Sequence, residues 1–282
     1  MSHSVVVGVD GSAQSEAAAE WAAAQAHRGG RALRMVHVGG GVEESGSPVE
    51  PLPEAVRALR DRLGAVLPGL EISCEQVPGN PAHQLIAAGE RDGLLVLGSR
   101  GLGGFTGLLV GSVGLRAAAH AACPVVLVRA GADGEGGAPG DVVVGVDGDG
   151  PCDEMLAFAF EQASGRGAAL RVMNSRTLPT GPYVTEAPVD QREIRDSLTE
   201  AELVRLQDAL RPWREKFPDV RVSAEVTAWP AARALVEASR TASLVVVGRR
   251  RPHNRAAAPW LGTVAHAVLH HAHSPVAVVP HS

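Results

Sequence analysis

Short valine-rich apolar runs recur along the chain, separated by longer stretches whose apolar positions return with helical spacing. The runs carry little polar alternation, as expected for strands buried on both faces. This reading predicts strands near 4–9, 32–38, 70–77, 93–98 and 124–128, with helices near 13–28, 53–66, 81–91 and 112–121. It then predicts strands near 141–147, 168–174, 220–226, 243–248 and 275–279, with helices near 152–164, 191–216, 230–240 and 262–272. Alternation of strand and helix means parallel sheets joined by right-handed crossovers. The expected fold class is α/β: two tandem doubly wound domains, each with a five-stranded parallel sheet.

The second series repeats the first. Val-Val-Val-Gly-Val-Asp-Gly occurs at 5–11 and again at 142–148. Ala32–Val38 answers to Ala168–Asn174, Val77–Pro81 to Val226–Pro230, Leu94–Gly98 to Leu244–Gly248, and Cys123–Val128 to Ser274–Val279. Landmarks in one order indicate duplication. Residues 131–140, rich in Gly, Asp and Ala, read as a linker. The expected domains are therefore 1–130 and 141–282.

Composition narrows the function. With 45% hydrophobic and 20% charged residues, the 282-residue chain can bury real cores. No apolar run reaches the roughly 18 residues of a membrane span. The N-terminus enters a strand pattern without a charged or long apolar leader, so a cytoplasmic location is expected. A net charge of −5 and 3% aromatics give neither the basic footprint nor the stacking platforms of a nucleic-acid binder. Lys216 is the sole lysine and fits neither a Walker-type loop nor a kinase motif, which excludes both classes. Cys74, Cys123 and Cys152 have no metal-ligand or disulfide spacing and read as small packing residues.

In open α/β sheets, ligands bind beyond the carboxyl ends of the strands where strand order reverses. The loops after the first and fourth strands of each half are the candidates. The first contains Val9-Asp10-Gly11-Ser12. Asp10 either accepts a ligand hydroxyl or helps hold a metal, or it only organises the turn; Ser12 can cap the next helix. The loop after strand four has six glycines in the fourteen residues from Gly98 to Gly111, more than a turn needs. Missing side chains let backbone N–H groups approach a ligand. Gly111-Ser112 opens a helix, whose unpaired donors and positive dipole end suit phosphate. Arg100 either helps neutralise that charge or lies on the surface.

Gly98, two residues, Gly101, nine residues, Gly111 and Ser112 match the nucleotide signature of the universal stress protein family. With Val-Gly-Val-Asp-Gly-Ser, Val36-His37-Val38, Gly79-Asn-Pro81 and Cys123-Pro-Val-Val-Leu-Val, the chain resembles that family over its whole length, in two copies. The resemblance implies a Rossmann-like fold of the adenine nucleotide α-hydrolase kind and ATP between strands one and four, commonly with Mg²⁺ or Mn²⁺. Val9, Asp10 and Val38 would face adenine and ribose, and Gly98, Gly101, Gly111, Ser112 and Val113 would cradle the phosphates. It also implies pairing through fifth strands, between the two domains or between chains in a homodimer.

The second half departs from the signature. Arg251 stands where Gly101 would, ten residues rather than nine separate it from Gly262-Thr263, and the intervening loop has no glycine. Gly79 becomes Ala228 and Val38 becomes Ser175 in the sequence match, while Asp147 is kept. That site is either empty and structural, or its arginines grip phosphate in place of backbone amides. No G-x-G-x-x-G follows strand one, no nucleophile elbow is complete, and no H-E-x-x-H occurs. The histidines near the last helix, including His266 and His270 on one face, read as surface rather than as metal ligands. Residues 39–53 read as a mobile connection near the nucleotide mouth.

The expectation is an ATP-binding stress-response regulator with an unidentified protein partner, no catalytic residues and at most slow ATP hydrolysis. A slow ATP-consuming enzyme of the adenylating type lacks its Ser-Gly-Gly-x-Asp-Ser loop here. An interaction or dimerisation module without nucleotide is the other alternative, which copurified nucleotide would separate.

Overall fold

The computed structural model describes residues 4–39, 52–101, 110–130, 140–147, 153–175, 191–251 and 260–282. Most of the linker at 131–140, the connection at 40–51 and the glycine-rich stretch 102–109 lie outside the described residues. The first half runs β1 (Val5–Gly8), α1 (Ala13–Arg28), β2 (Leu33–Val38), α2 (Glu54–Val66), β3 (Ile72–Val77), α3 (Pro81–Asp92), β4 (Leu95–Gly98), α4 (Ser112–His120) and β5 (Val125–Val128). The second runs β6 (Val142–Val146), α5 (Asp153–Arg166), β7 (Leu170–Ser175), α6 (Gln191–Lys216), β8 (Val222–Thr227), α7 (Ala231–Ala238), β9 (Leu244–Arg250), α8 (Thr263–His271) and β10 (Val276–His281). The elements follow the predicted spans closely. The informative differences are β9 and β10, which run on to Arg250 and His281.

The strands form one sheet in the order β3-β2-β1-β4-β5-β10-β9-β6-β7-β8. Within each half every pairing is parallel, and strand order reverses at β1/β4 and at β6/β9. The halves join where β5 meets β10 antiparallel, with Val276 opposite Leu127, Ala277 opposite Val126 and Val278 opposite Val125. The pairing through fifth strands thus lies within one chain. Both sheet faces are covered, as the unalternated valines require. Residues of α1, α2, α5 and α6 pack with one face, and residues of α3, α4, α7 and α8 with the other. Each apolar layer runs through both halves without a break at the seam. Alanines 18, 19, 22, 23 and 26 of α1 are fully buried and let that helix lie close on the sheet.

The duplication persists in detail. Arg34 of β2 bridges Glu75 of β3 at 2.5 Å, and Arg171 of β7 bridges Glu225 of β8 at 2.8 Å. Register also corrects one element of the sequence match. Val38 pairs with Val77, and Ser175 with Thr227, so Val77 corresponds to Thr227 rather than Val226. The counterpart of Gly79 is therefore Trp229, not Ala228. Two prolines mislead here: Pro81 begins α3 behind the cap Asn80, whereas Pro230 is itself the cap of α7. Proline tolerates both places because a helix start needs few of its own N–H groups.

Two arginines tie the halves together near the seam. Arg129, just after β5, donates to the carbonyls of Leu269 and His270 in the last turn of α8, both at 2.7 Å. Arg249 of β9, only 4% exposed, donates to the carbonyl of Ala121, the C-cap of α4. Each places positive charge at the negative end of a helix belonging to the other half. Burial lowers the pKa of both guanidiniums, so their carbonyl partners offset a real desolvation cost. We expect Arg249→Met, which keeps the stem and removes the donor, to cost about 1–3 kcal/mol. Arg250→Met, on an exposed side chain, should stay within about 0.5 kcal/mol. The comparison is read as the shift in urea midpoint.

Candidate functional site

At the β1/β4 switch point the carboxyl ends of the strands open onto a cavity of about 450 Å³. Its near wall is built by the turn after β1. Gly11 takes φ +83°, which brings Ser12 round to the start of α1. Ser12 Oγ accepts the Ser15 N–H at 3.2 Å, the expected cap. Asp10 Oδ1 accepts the Ser12 N–H at 3.0 Å and the Ser12 hydroxyl at 2.6 Å. Asp10 therefore organises its turn. Its other oxygen faces Gly101 so closely that a Cβ there would stand 2.5 Å from Oδ2.

The far wall comes from the chain around β4. Ser99 N–H donates to the Val128 carbonyl at 2.7 Å and prolongs the parallel ladder by one residue. The Ser99 carbonyl then accepts the Gly111 N–H at 2.7 Å, which fixes Gly111 as the N-cap of α4. Leu115 closes the first helical turn onto the Gly111 carbonyl at 3.0 Å. No side chain caps this helix start and no acid lies in its first turn. The amides of Ser112, Val113 and Gly114 are the donors that a helix start leaves to outside partners. Gly111 contributes differently from the sequence expectation: its own N–H is engaged, and its role is to lack a side chain.

That lack has no internal cause. Gly111 sits at φ −78°, ψ 161°, open to any residue, and among the described residues an added Cβ would meet nothing nearer than 3.6 Å. Gly98 is the opposite case. A Cβ there would lie 2.8 Å from the Gln14 carbonyl carbon and oxygen, so the glycine is needed for α1 to reach β4.

All eight sequence-predicted site residues, Val9, Asp10, Val38, Gly98, Gly101, Gly111, Ser112 and Val113, line this one cavity. Sequence reasoning missed the apolar side chains Val36, Leu85, Leu97 and Val110, which also line it. They were legible only as core positions of strands and helices. The Val9 carbonyl accepts from His37 Nδ1 at 2.9 Å, which places the proton of that ring on Nδ1. Arg100 lines the mouth, and its charge adds to burial in lowering the pKa of Arg129. Asp10 is the one acid among the lining residues, and no group of three His, Cys, Asp or Glu among the described residues could hold a metal. The His266 and His270 rings lie 4.6 Å apart and tilted by 35°, without such a third partner among the described residues.

The second half holds a larger cavity, about 720 Å³, at the β6/β9 switch point. Asp147, Ser175, Gly248, Arg250, Arg251 and Gly262 line it. The described residues around the ends of β6 and β9 therefore enclose space in the second half as well.

A family model described as the universal stress protein family matches residues 1–129 and again 140–280. The chain belongs to the universal stress protein family. A universal stress protein of Mycobacterium tuberculosis is 35% identical over 302 aligned residues, covering 99% of this chain and 98% of that one. One from Mycolicibacterium smegmatis is 30% identical, covering 98% and 97%. The crystal structure of a universal stress protein from Archaeoglobus fulgidus matches over 100% of both chains with a TM-score of 0.64 and 16% identity, a likeness of fold. The tandem arrangement and the Rossmann-like α/β fold of this universal stress protein follow from these matches and from the mostly parallel sheet. No helix among its described residues is long and apolar enough to cross a membrane.

The two glycines should separate in stability. Gly98→Ala forces a Cβ against backbone and should cost about 1–3 kcal/mol. Gly111→Ala has room and an ordinary φ and should stay within about 0.5 kcal/mol. Urea unfolding of the two variants checks this.

Proposed function

We propose that this universal stress protein is an ATP-binding regulator whose nucleotide lies in the first-half cavity. Adenine and ribose would rest against Val9, Asp10 and Val38. The phosphates would lie along Gly98, Gly101 and Gly111 toward the open amides of Ser112 and Val113. On this reading residues 1–130 form the nucleotide domain, 131–140 the linker and 141–282 a second domain with an altered site.

The observation that carries the reading is Gly111. A residue at an uncapped helix start, with room for a side chain and an unstrained backbone, has none. The described residues around it do not require that glycine, whereas a phosphate approaching the amides of α4 would. Arg100 at the mouth and the dipole of α4 give the anionic end of the cavity its sign. The apolar lining from Val36, Leu85 and Leu97 suits a base. Magnesium or manganese would be held mainly by phosphate oxygens and water, since among the described lining residues Asp10 alone offers a carboxylate. Asp10 is already bonded to Ser12, so it orients the turn and is poorly placed to activate water. Binding, with slow hydrolysis at most, is the expected activity. Bound nucleotide would act by favouring one arrangement of partner surfaces.

Gly111→Val places a branched side chain between ligand and amides while leaving the fold intact. We expect its affinity for ATP with magnesium to fall at least about a hundredfold, about 2.8 kcal/mol. Calorimetry on the wild type should give one ATP per chain. Unchanged affinity in the variant, with native circular dichroism, would remove the proposed site.

A further inference from the structure

The second-half cavity sits at the same place in the fold as the first but presents different main-chain donors and side chains. In the first half the ladder between β4 and its neighbour stops just after Gly98, and the chain turns away at Ser99. In the second half β9 runs straight on. Arg249 pairs with Pro280, Arg250 pairs with His281, and the Arg251 N–H donates to the His281 carbonyl at 2.7 Å. At the position of Gly101 the main-chain donor is thus engaged in the sheet and a long side chain is present.

The ground beside Gly248 has changed as well. A Cβ on Gly248 would lie 2.5 Å from Met155 Sδ and 2.7 Å from His281 Nε2. Met155 stands where the first half has Ala18. Met155 and His281 therefore occupy the space next to the strand end. The walls are mostly apolar, with Met173, Leu235, Val247 and Val264 facing the cavity, while Asp147, Asn174, Ser175 and Thr227 add polar groups at the ends of β6, β7 and β8. Trp260, 74% exposed, stands at its rim. Positive groups gather at one end: Arg250, Arg251 and the uncapped start of α8 at Gly262.

An apolar chamber with an indole at the rim, two thioethers in the wall and two guanidinium groups at one end fits a different molecule from ATP. Thioethers make favourable contacts with aromatic rings, and guanidinium groups pair with a carboxylate in a bidentate manner. We propose that the second half binds an aromatic monocarboxylate, its ring between Met155, Met173 and Trp260 and its carboxylate at Arg250 and Arg251. The site is independent of the first-half nucleotide site and senses a different class of compound.

The full-length protein is titrated with 2-naphthoate, followed by calorimetry and tryptophan fluorescence, and separately with ATP and magnesium. Saturable binding of one 2-naphthoate per chain is expected in the wild type and unchanged in Gly111→Val. Arg250→Ser with Arg251→Ser, both on exposed side chains, should weaken it at least about tenfold by removing charge-assisted contacts. Ala265→Phe, which fills the chamber, should weaken it by as much, with ATP affinity unaltered in both variants. The proposal fails if 2-naphthoate does not saturate, if the arginine variant binds it as well as wild type, or if Gly111→Val abolishes its binding. It fails equally if ATP displaces it from Gly111→Val, since the second half would then be a nucleotide site. Loss of ATP binding in Gly111→Val alone tests the first-half reading and leaves this one untouched.

Discussion

The antiparallel contact between β5 and β10 is the constraint on which the rest of the molecule depends. Each half is a parallel sheet whose fifth strand would otherwise present a bare edge, and such an edge pairs with whatever it meets. Here the two edges satisfy one another through Val125, Val126 and Leu127 against Val276, Ala277 and Val278. The apolar layers above and below are thereby fused, so neither half has a core of its own to complete elsewhere. Parallel order within each half and the antiparallel join together dictate where the strand ends lie. Both switch points, β1/β4 and β6/β9, therefore carry a cavity.

The two cavities share topology and diverge in chemistry through a handful of side chains. Ala18 against Met155, Val38 against Ser175, and Gly101 against Arg251 are substitutions at matching places in one architecture. Each alters what the walls can offer while the order of the strands that hold them stays the same. The pairs Arg34–Glu75 and Arg171–Glu225 make the contrast plain, because away from the cavities the halves keep the same ion pair in the same register. Fold similarity does not preserve a site, and the two cavity linings of this chain differ accordingly.

Much of this was legible in the residues, for physical reasons. Strands buried on both faces read as unbroken valine runs, and helix starts announce themselves with Ser12, Asn80 or a glycine. The glycine spacing from Gly98 to Gly111 is a local property of one loop, so Gly98, Gly101, Gly111 and Ser112 could be named from it; Asp10 came from its place at the switch point, and Val9, Val38 and Val113 from the family resemblance. Register between distant strands could not. Identity of Pro81 with Pro230 suggested a match that pairing of Val38 with Val77 and Ser175 with Thr227 corrects by one residue. Nor could the arginine contacts across the seam be read, since Arg249 and Ala121 are 128 positions apart and meet only once β5 lies beside β10. The role of Gly111 was half legible. Its missing side chain is visible in the sequence, but the engagement of its N–H with Ser99 is a matter of geometry.

Ser99 and Arg249 occupy the same place after the fourth strand of each half, and their difference accounts for much of the asymmetry. At Ser99 the carbonyl accepts from Gly111 and the chain folds back, baring the start of α4. At Arg249 the strand continues, its side chain buries itself against the end of α4, and Arg250 and Arg251 are carried forward to the rim of the second cavity. A chain that turned back at 249 could not keep the β9 ladder to β10 at 249 and 250 that fixes this placement. The straight run of β9 in one half and the anchoring of the end of α4 in the other are therefore one structural event. The second half departs from the family signature at Arg251, two residues beyond the arginine by which it steadies the helix of the first.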